Sequence, residues 1–228
     1  MNQMDYAVDI EQMSFSYRAA KTVLRIGALT IAQGEKVFLY GPSGCGKTTL
    51  LGILTGVLKA SEGRVTVLGQ NFAQMSGPAR DALRGARIGY VFQMFNLIPY
   101  LNVIDNILLP YRISRERRER LHGRDMKQEA LALARQLGIE EIVGAAVVDL
   151  SVGQQQRVAV ARALMGAPEL VIADEPTSAL DEDHRERFLE LLFRHCREIG
   201  STLIFVSHDR RMMPLFDRAI SLAEINGV

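Results

Sequence analysis

The sequence is short of the features that mark several protein classes. It has two cysteines in 228 residues, Cys45 and Cys196, without CxxC or paired-histidine spacing, so neither a disulfide framework nor a zinc site is indicated. An excess of either charge is also missing. Lys and Arg number 27 against 26 Asp and Glu, a formal net charge of +1, and nucleic-acid-binding surfaces usually show a basic surplus. No nucleic-acid partner is expected. No apolar run approaches the ~18–20 residues that cross a bilayer. Met1 to Ile10 carries two acids where a secretory signal would need an apolar stretch. Internal repeats and low-complexity segments are absent. What remains is a globular composition, 48% hydrophobic and 23% charged, in a chain long enough to bury roughly 70% of its unfolded surface. One domain, or a domain with one inserted lobe, is expected, in a cytoplasmic protein.

Short apolar runs alternate with helical patterns along most of the chain. Val37–Tyr40, Ile88–Phe92, Leu170–Ala173 and Thr202–Val206 are too short for helices and rich in β-branched or aromatic residues, which predicts buried strands. Helical stretches between most of them predict an α/β fold with a largely parallel sheet. Ala7–Tyr17 and Arg64–Leu68 alternate as a small antiparallel part would. From about Met94 to Leu150 only helical patterns occur, including Arg124–Leu137 closed by Gly138, and this predicts an inserted helical lobe. Within it, Arg112–Arg120 sets five arginines beside Glu116 and Glu119; a solvated helix face is expected there, with a lipid or permease contact as the alternative.

Gly41-Pro42-Ser43-Gly44-Cys45-Gly46-Lys47-Thr48 matches GxxxxGK[ST] between a predicted strand and a predicted helix, the context a phosphate loop requires. Glycines let successive N–H groups turn into one concavity, and the following helix adds its unsatisfied N-terminal donors. Lys47 is placed to reach the β- and γ-phosphates and Thr48 to offer its hydroxyl to Mg²⁺. Cys45 is expected to be a small residue tolerated in the loop. Cys196, at helical spacing from Phe188, Leu191, Leu192 and Ile199, is expected in the core. Ligands of open α/β sheets bind beyond the carboxyl ends of the strands. Those ends carry Gln93, Asp174-Glu175 and His208, which predicts a single crevice. Ser151 and Gln154 have capping-box spacing at the start of a helix running to about Met165, a second candidate anion site. An NKxD-like guanine-reading motif is absent.

Taken together and in this order, these segments resemble the ATP-binding-cassette (ABC) ATPases over essentially the full length. Tyr17 resembles the aromatic residue that stacks on adenine. Gly41–Thr48 resembles Walker A, with Thr49 a further phosphate contact. Gln93 resembles the Q-loop glutamine, Leu150–Gln154 the LSGGQ signature, and Leu170–Glu175 Walker B with its catalytic glutamate. Ser178–Asp181 resembles the D-loop and His208 the switch histidine. The resemblance implies a P-loop core of residues 1–93 and 157–228 with a helical lobe at 94–156. It implies ATP and Mg²⁺, with Thr48, Gln93 and Asp174 at the metal and Glu175, His208 and Gln93 in catalysis. Nucleotide contacts would come from Tyr17, Gly41, Ser43, Gly44, Cys45, Gly46, Lys47, Thr48, Thr49, Ser151, Gly153, Gln154 and Asp181. It also implies a second copy packed head to tail, and an integral-membrane permease that holds the protein at the inner face of the membrane. Val152 departs from the pattern: it stands at the usual first signature glycine, and a β-branched residue would be strained there if the backbone needs positive φ. The segment Phe92–Pro99 with Leu101-Asn102-Val103 resembles the short ATPases of lipoprotein-release and macrolide-type exporters. That group also contains cell-division ATPases that regulate cell-wall hydrolysis, which leaves transport the expectation and cell-wall regulation the alternative. A soluble ABC ATPase of DNA repair or translation is a more distant alternative. Phe95, Leu97, Ile98 and Leu101 could line the permease dock or form the lobe's own core.

Overall fold

Mainly apolar runs build one sheet and alternating runs build the other. The computed structural model describes residues 6–17, 21–178 and 182–228, without the side chains of residues 183 and 184. The chain opens with β1 (Tyr6–Ser16), β2 (Thr22–Ala32) and β3 (Lys36–Tyr40), followed by α1 (Lys47–Leu54). Then come β4 (Glu62–Val67), β5 (Gln70–Asn71), α2 (Gly77–Arg87) and β6 (Ile88–Val91). The predicted helical stretch holds α3 (Val103–Ile113), α4 (Arg115–Glu119) and α5 (Met126–Gln136), and leads into α6 (Val152–Leu164). β7 (Leu170–Asp174), α7 (Glu182–Ile199), β8 (Thr202–Val206), β9 (Arg218–Ser221) and α8 (Leu222–Ile225) complete the order.

β6, β7, β8, β3 and β9 form a five-stranded sheet in that order, with parallel pairing throughout. Every residue of β8 is buried, as a parallel strand covered on both faces requires. Alternation divides the sheet between two cores. Phe38, Val91, Val171, Ala173, Leu203 and Phe205 face α6, α7 and the helical segment. Val37, Leu39, Leu170, Ile172, Ile204 and Val206 face α1 and the second sheet. That sheet is antiparallel, ordered β2-β1-β4-β5, and its strands alternate buried with exposed residues. The α/β class with an antiparallel part is therefore the observed one. β2 and β9 were not evident in the sequence. Gly27 interrupts β2, and half of the four-residue β9 is exposed.

The arginine run departs from the expected solvated face. Arg117 is 2% exposed. Its guanidinium donates from Nε to Gly85 O at 2.7 Å and from Nη2 to Ile88 O at 2.8 Å, and also bonds Met165 O. Ile88 and Met165 are the C-caps of α2 and α6, so one side chain satisfies carbonyls that helix ends leave without intrahelical partners. No carboxylate is among these partners, and burial pushes the guanidinium pKa down to about 10. Gly166, at φ +76°, lets the chain turn away after α6, and a Cβ there would meet Tyr111 at 3.0 Å and Arg117 at 3.2 Å. Arg112, Arg115 and Arg118 are exposed, as expected.

Cys196 is buried with Phe188 and Leu192 as expected, while Ile199 lies on the exposed side of α7. Phe95 and Leu97 belong to the core under α3 and α6. The outward apolar residues of this region are instead Met94 at 81%, Tyr100 at 84% and Ile113 at 73% exposure.

Candidate functional site

Strand register brings the predicted residues to one edge. Leu39 pairs with Val206, Asp174 with Val206, and Val91 with Ala173. The carboxyl ends of β3, β8, β7 and β6 are thus level, and Gly41, His208, Glu175 and Gln93 all emerge there.

The loop between β3 and α1 is shaped by its glycines. Gly46 sits at φ 101° as N-cap of α1 with no side-chain cap, so the first amides of the helix are left to another partner. A Cβ on Gly46 would strike Leu24 at 2.6 Å, which fixes glycine there on two counts. Lys47 arches over the loop and donates to the carbonyls of Gly41 at 2.7 Å and Pro42 at 3.1 Å. Thr48 and Ser43 are exposed, whereas Thr49 is buried. Thr49 Oγ1 lies 3.3 Å from the Tyr17 hydroxyl. Tyr17 itself is half exposed and packs edge-on against Phe15. Cys45 is partly buried, and its carbonyl accepts from Asn226.

Beside the loop, Asp174 ends β7 and accepts from the Tyr90 hydroxyl at 3.2 Å. Burial raises its carboxyl above the ordinary aspartate range, against the opposing pull of that hydrogen bond and of the Lys47 charge. Glu175 follows at φ 48°, a conformation that costs a non-glycine residue about 1 kcal/mol or more. Its amide donates to Val206 O at 2.9 Å, and its Oε2 lies 2.9 Å from His208 Nδ1. A carboxylate can only accept, so Nδ1 carries the proton and Nε2 is the free face of the ring. Gln93 is exposed at the loop after β6.

The signature segment opens α6. Ser151 caps α6 through a complete capping box: its hydroxyl accepts from Gln154 N at 3.3 Å, and Gln154 Oε1 accepts from Ser151 N at 2.9 Å. Val152 occupies the first helical position, 49% exposed, and is not among the positive-φ residues. The strain considered for it is absent. A Cβ on Gly153 would meet nothing within 4 Å, which leaves an open approach to the helix start. Among the described residues, no hydrogen bond joins Ser151, Gly153 or Gln154 to the phosphate loop. Asp181 lies outside the described residues.

Sequence patterns did not single out three supports of this site. Arg162 on α6 donates to Asn96 O at 2.7 Å and Phe95 O at 2.6 Å. Those two residues hold positive φ in the turn after Gln93, so Arg162 fixes that turn. Gln156, buried, donates to Pro176 O at 2.8 Å and ties α6 to the segment after Glu175. Asn226 accepts from Arg25 N at 2.8 Å and donates to Val23 O at 3.1 Å and Cys45 O at 3.4 Å, bracing β2 against the loop. Each acts on backbone carbonyls or amides far away in sequence, and no local pattern announces that.

A strand–loop–helix phosphate cradle with an Asp-Glu pair and a histidine at adjacent strand ends defines a P-loop nucleotide-binding cassette. The profile of the ABC transporter family matches residues 24–178. The chain is 41% identical over 199 residues to the ABC transporter ATP-binding protein YbbA of Escherichia coli (strain K12), covering 87% of this chain and 84% of that one. It is 39% identical over 196 residues, 86% and 80% of the two chains, to the lipoprotein-releasing system ATP-binding protein LolD of Anaeromyxobacter dehalogenans (strain 2CP-C). A dimeric structure of the ABC transporter cassette MJ0796 superposes with a TM-score of 0.79 at 31% identity, covering 95% of each chain. A second MJ0796 structure, a dimeric post-hydrolysis state bound to ADP and Pi, gives 0.78 at 34% identity, covering 94% of this chain and 93% of that one. The chain belongs to the ABC transporter family and is an ATP-binding, ATP-hydrolysing cassette. Among the described residues, no helix is long and apolar enough to cross a membrane.

Proposed function

We propose that this chain is the ATPase subunit of an exporter or lipoprotein-releasing complex, working as two cassettes head to tail beneath a membrane permease. The contact between Glu175 and His208 at the phosphate edge carries the chemical part. Gly41, Ser43, Gly44, Cys45 and Gly46 offer backbone donors to the phosphates, Lys47 neutralises their charge, and Tyr17 stacks on the base. Glu175 accepts a proton from the attacking water by general-base action. His208 orients Glu175 through Nδ1 and turns Nε2 toward the transferred phosphoryl group. The hydroxyl of Thr48, the carboxylate of Asp174 and the amide oxygen of Gln93 are hard oxygen donors at one edge. Among the described residues, no trio of His, Cys, Asp or Glu could hold a metal unaided, which fits an ion such as Mg²⁺ that is bound through few carboxylates and the substrate phosphates. When bound, Mg²⁺ would neutralise charge developing on the phosphate oxygens.

The likeness to the dimeric MJ0796 cassettes supports the paired arrangement. Ser151, Gly153 and Gln154 serve the nucleotide of the opposite copy, together with Asp181. In this reading residues 94–156 form the helical lobe. Closure of the pair moves that lobe relative to the core formed by residues 1–93 and 157–228. A groove of about 420 Å³, walled by Tyr90, Ile98, Leu109, Pro110 and Ile113, with Met94 and Tyr100 exposed nearby, supports a permease segment docking at this junction. The likeness to LolD supports a lipoprotein-releasing or related permease, and hence a place at the inner face of the membrane.

Sedimentation of the Glu175→Gln variant with and without ATP tests the pairing. ATP-dependent dimers are expected, and Ser151→Ala in the same background should weaken them. A monomer at all ATP concentrations would overturn the composite site. Affinity purification of the tagged chain from detergent-solubilised membranes of its host tests the permease. Recovery solely in soluble fractions would overturn that part and leave the ATPase chemistry standing.

A further inference from the structure

Among the described residues, Asp174 has a single hydrogen-bond donor to its side chain, and that donor comes from a neighbouring strand. β6 and β7 run parallel with Tyr90 opposite Ile172. Asp174 lies two residues further along β7, on the same face as Ile172, so Tyr90 meets it on the diagonal. With strands ~4.8 Å apart and a rise of ~3.3 Å per residue, that diagonal is about 8 Å, a span that a phenol covers and a serine or threonine hydroxyl does not. The Tyr90 hydroxyl donates to Asp174 Oδ2 at 3.2 Å. Its ring is steadied by Phe92, with centroids 4.2 Å apart.

The geometry points to Tyr90 as a positioning residue for Asp174: the phenol occupies one carboxylate oxygen and leaves the other for the Mg²⁺ of the bound nucleotide. This inference rests on the metal role proposed for Asp174. A carboxylate without an outer partner can rotate about its last bond. One held by a donor presents the free oxygen in a fixed direction, and partners of this kind commonly change metal affinity tenfold or more when removed.

The test measures Mn²⁺ binding by electron paramagnetic resonance to the purified chain saturated with ATP. ATP affinity without divalent ion is measured in parallel with EDTA. Tyr90→Phe removes one oxygen and keeps the ring. It is expected to weaken Mn²⁺ binding about tenfold and to leave metal-free ATP affinity unchanged. Asp174→Asn is expected to weaken Mn²⁺ binding further, and Tyr90→Phe is expected to add nothing in that background. If Tyr90→Phe binds Mn²⁺ as the wild type does while Asp174→Asn does not, Tyr90 merely packs and the inference fails. Equal losses of Mn²⁺ and metal-free ATP binding in Tyr90→Phe would also overturn it. If Asp174→Asn binds Mn²⁺ normally, the metal role of Asp174 falls and takes the inference with it. Should Tyr90→Phe not fold, 3-fluorotyrosine placed at position 90 keeps the shape and strengthens the donor. Tighter Mn²⁺ binding is then expected, and an unchanged affinity overturns the proposal.

Discussion

The phosphate loop and the arginine run treat their charged side chains in opposite ways. In the loop, Lys47 bridges two carbonyls of its own turn at an edge that also bears Asp174 and Glu175, and the residues there are set for a ligand. In the run, Arg117 is the most deeply buried charge, and it serves the carbonyls at two helix ends. Local spacing reveals the first arrangement because its partners lie within a few residues. Partners of Arg117 lie 29 to 48 residues away. A positive side chain in this molecule therefore serves chemistry or architecture according to what it meets, and its neighbours in sequence do not say which.

Substitutions can break that comparison. The largest effect is expected from Glu175→Gln, which should lower ATP turnover by about 10² or more and leave the urea midpoint near the wild-type value, as measured by phosphate release and equilibrium unfolding. Arg117→Leu should do the reverse. Leaving buried carbonyls without a donor is expected to remove about 3 kcal/mol of stability, while Arg115→Ala leaves the midpoint in place. Equal midpoints for the two arginine variants would erase the distinction between them. Ser151→Ala should cost about 1 kcal/mol through the lost cap, with a further loss of ATP-driven pairing in sedimentation. The smallest effect belongs to Val152→Gly. With no positive φ to relieve, glycine in the first turn should lower stability by less than ~1 kcal/mol, and turnover should change by threefold at most; a large gain in rate would mean that the exposed isopropyl group obstructs the partner's nucleotide.

The five-stranded sheet was largely legible because its interior strands are continuous apolar runs, as in Leu170–Ala173 and Thr202–Val206. β2 and β9 were hidden for opposite reasons. β2 has its alternation broken by Gly27, and β9 is too short and too exposed to stand out. At the site, Gly41–Thr48, Asp174, Glu175 and His208 were visible as residue types at strand ends, and the structure brings them to one edge. Tyr90, Gln156, Arg162 and Asn226 were not visible, because each acts through a tertiary hydrogen bond that depends on sheet order or helix packing. Val152 shows the limit of borrowing a rule by position: the concern over its backbone assumed a conformation that the helix start does not adopt.

Strand order has a consequence for how the protein comes into being. β3, which carries the phosphate loop, pairs on its two sides with β8 and β9. Those strands are made more than 150 positions later on the ribosome. When Gly41–Thr48 emerges, the strand beneath it has neither neighbour, and the antiparallel sheet of β1, β2 and β4 can assemble first. Nascent chains stalled before Thr202 should therefore have no competent phosphate loop, and ATP becomes a ligand late in synthesis.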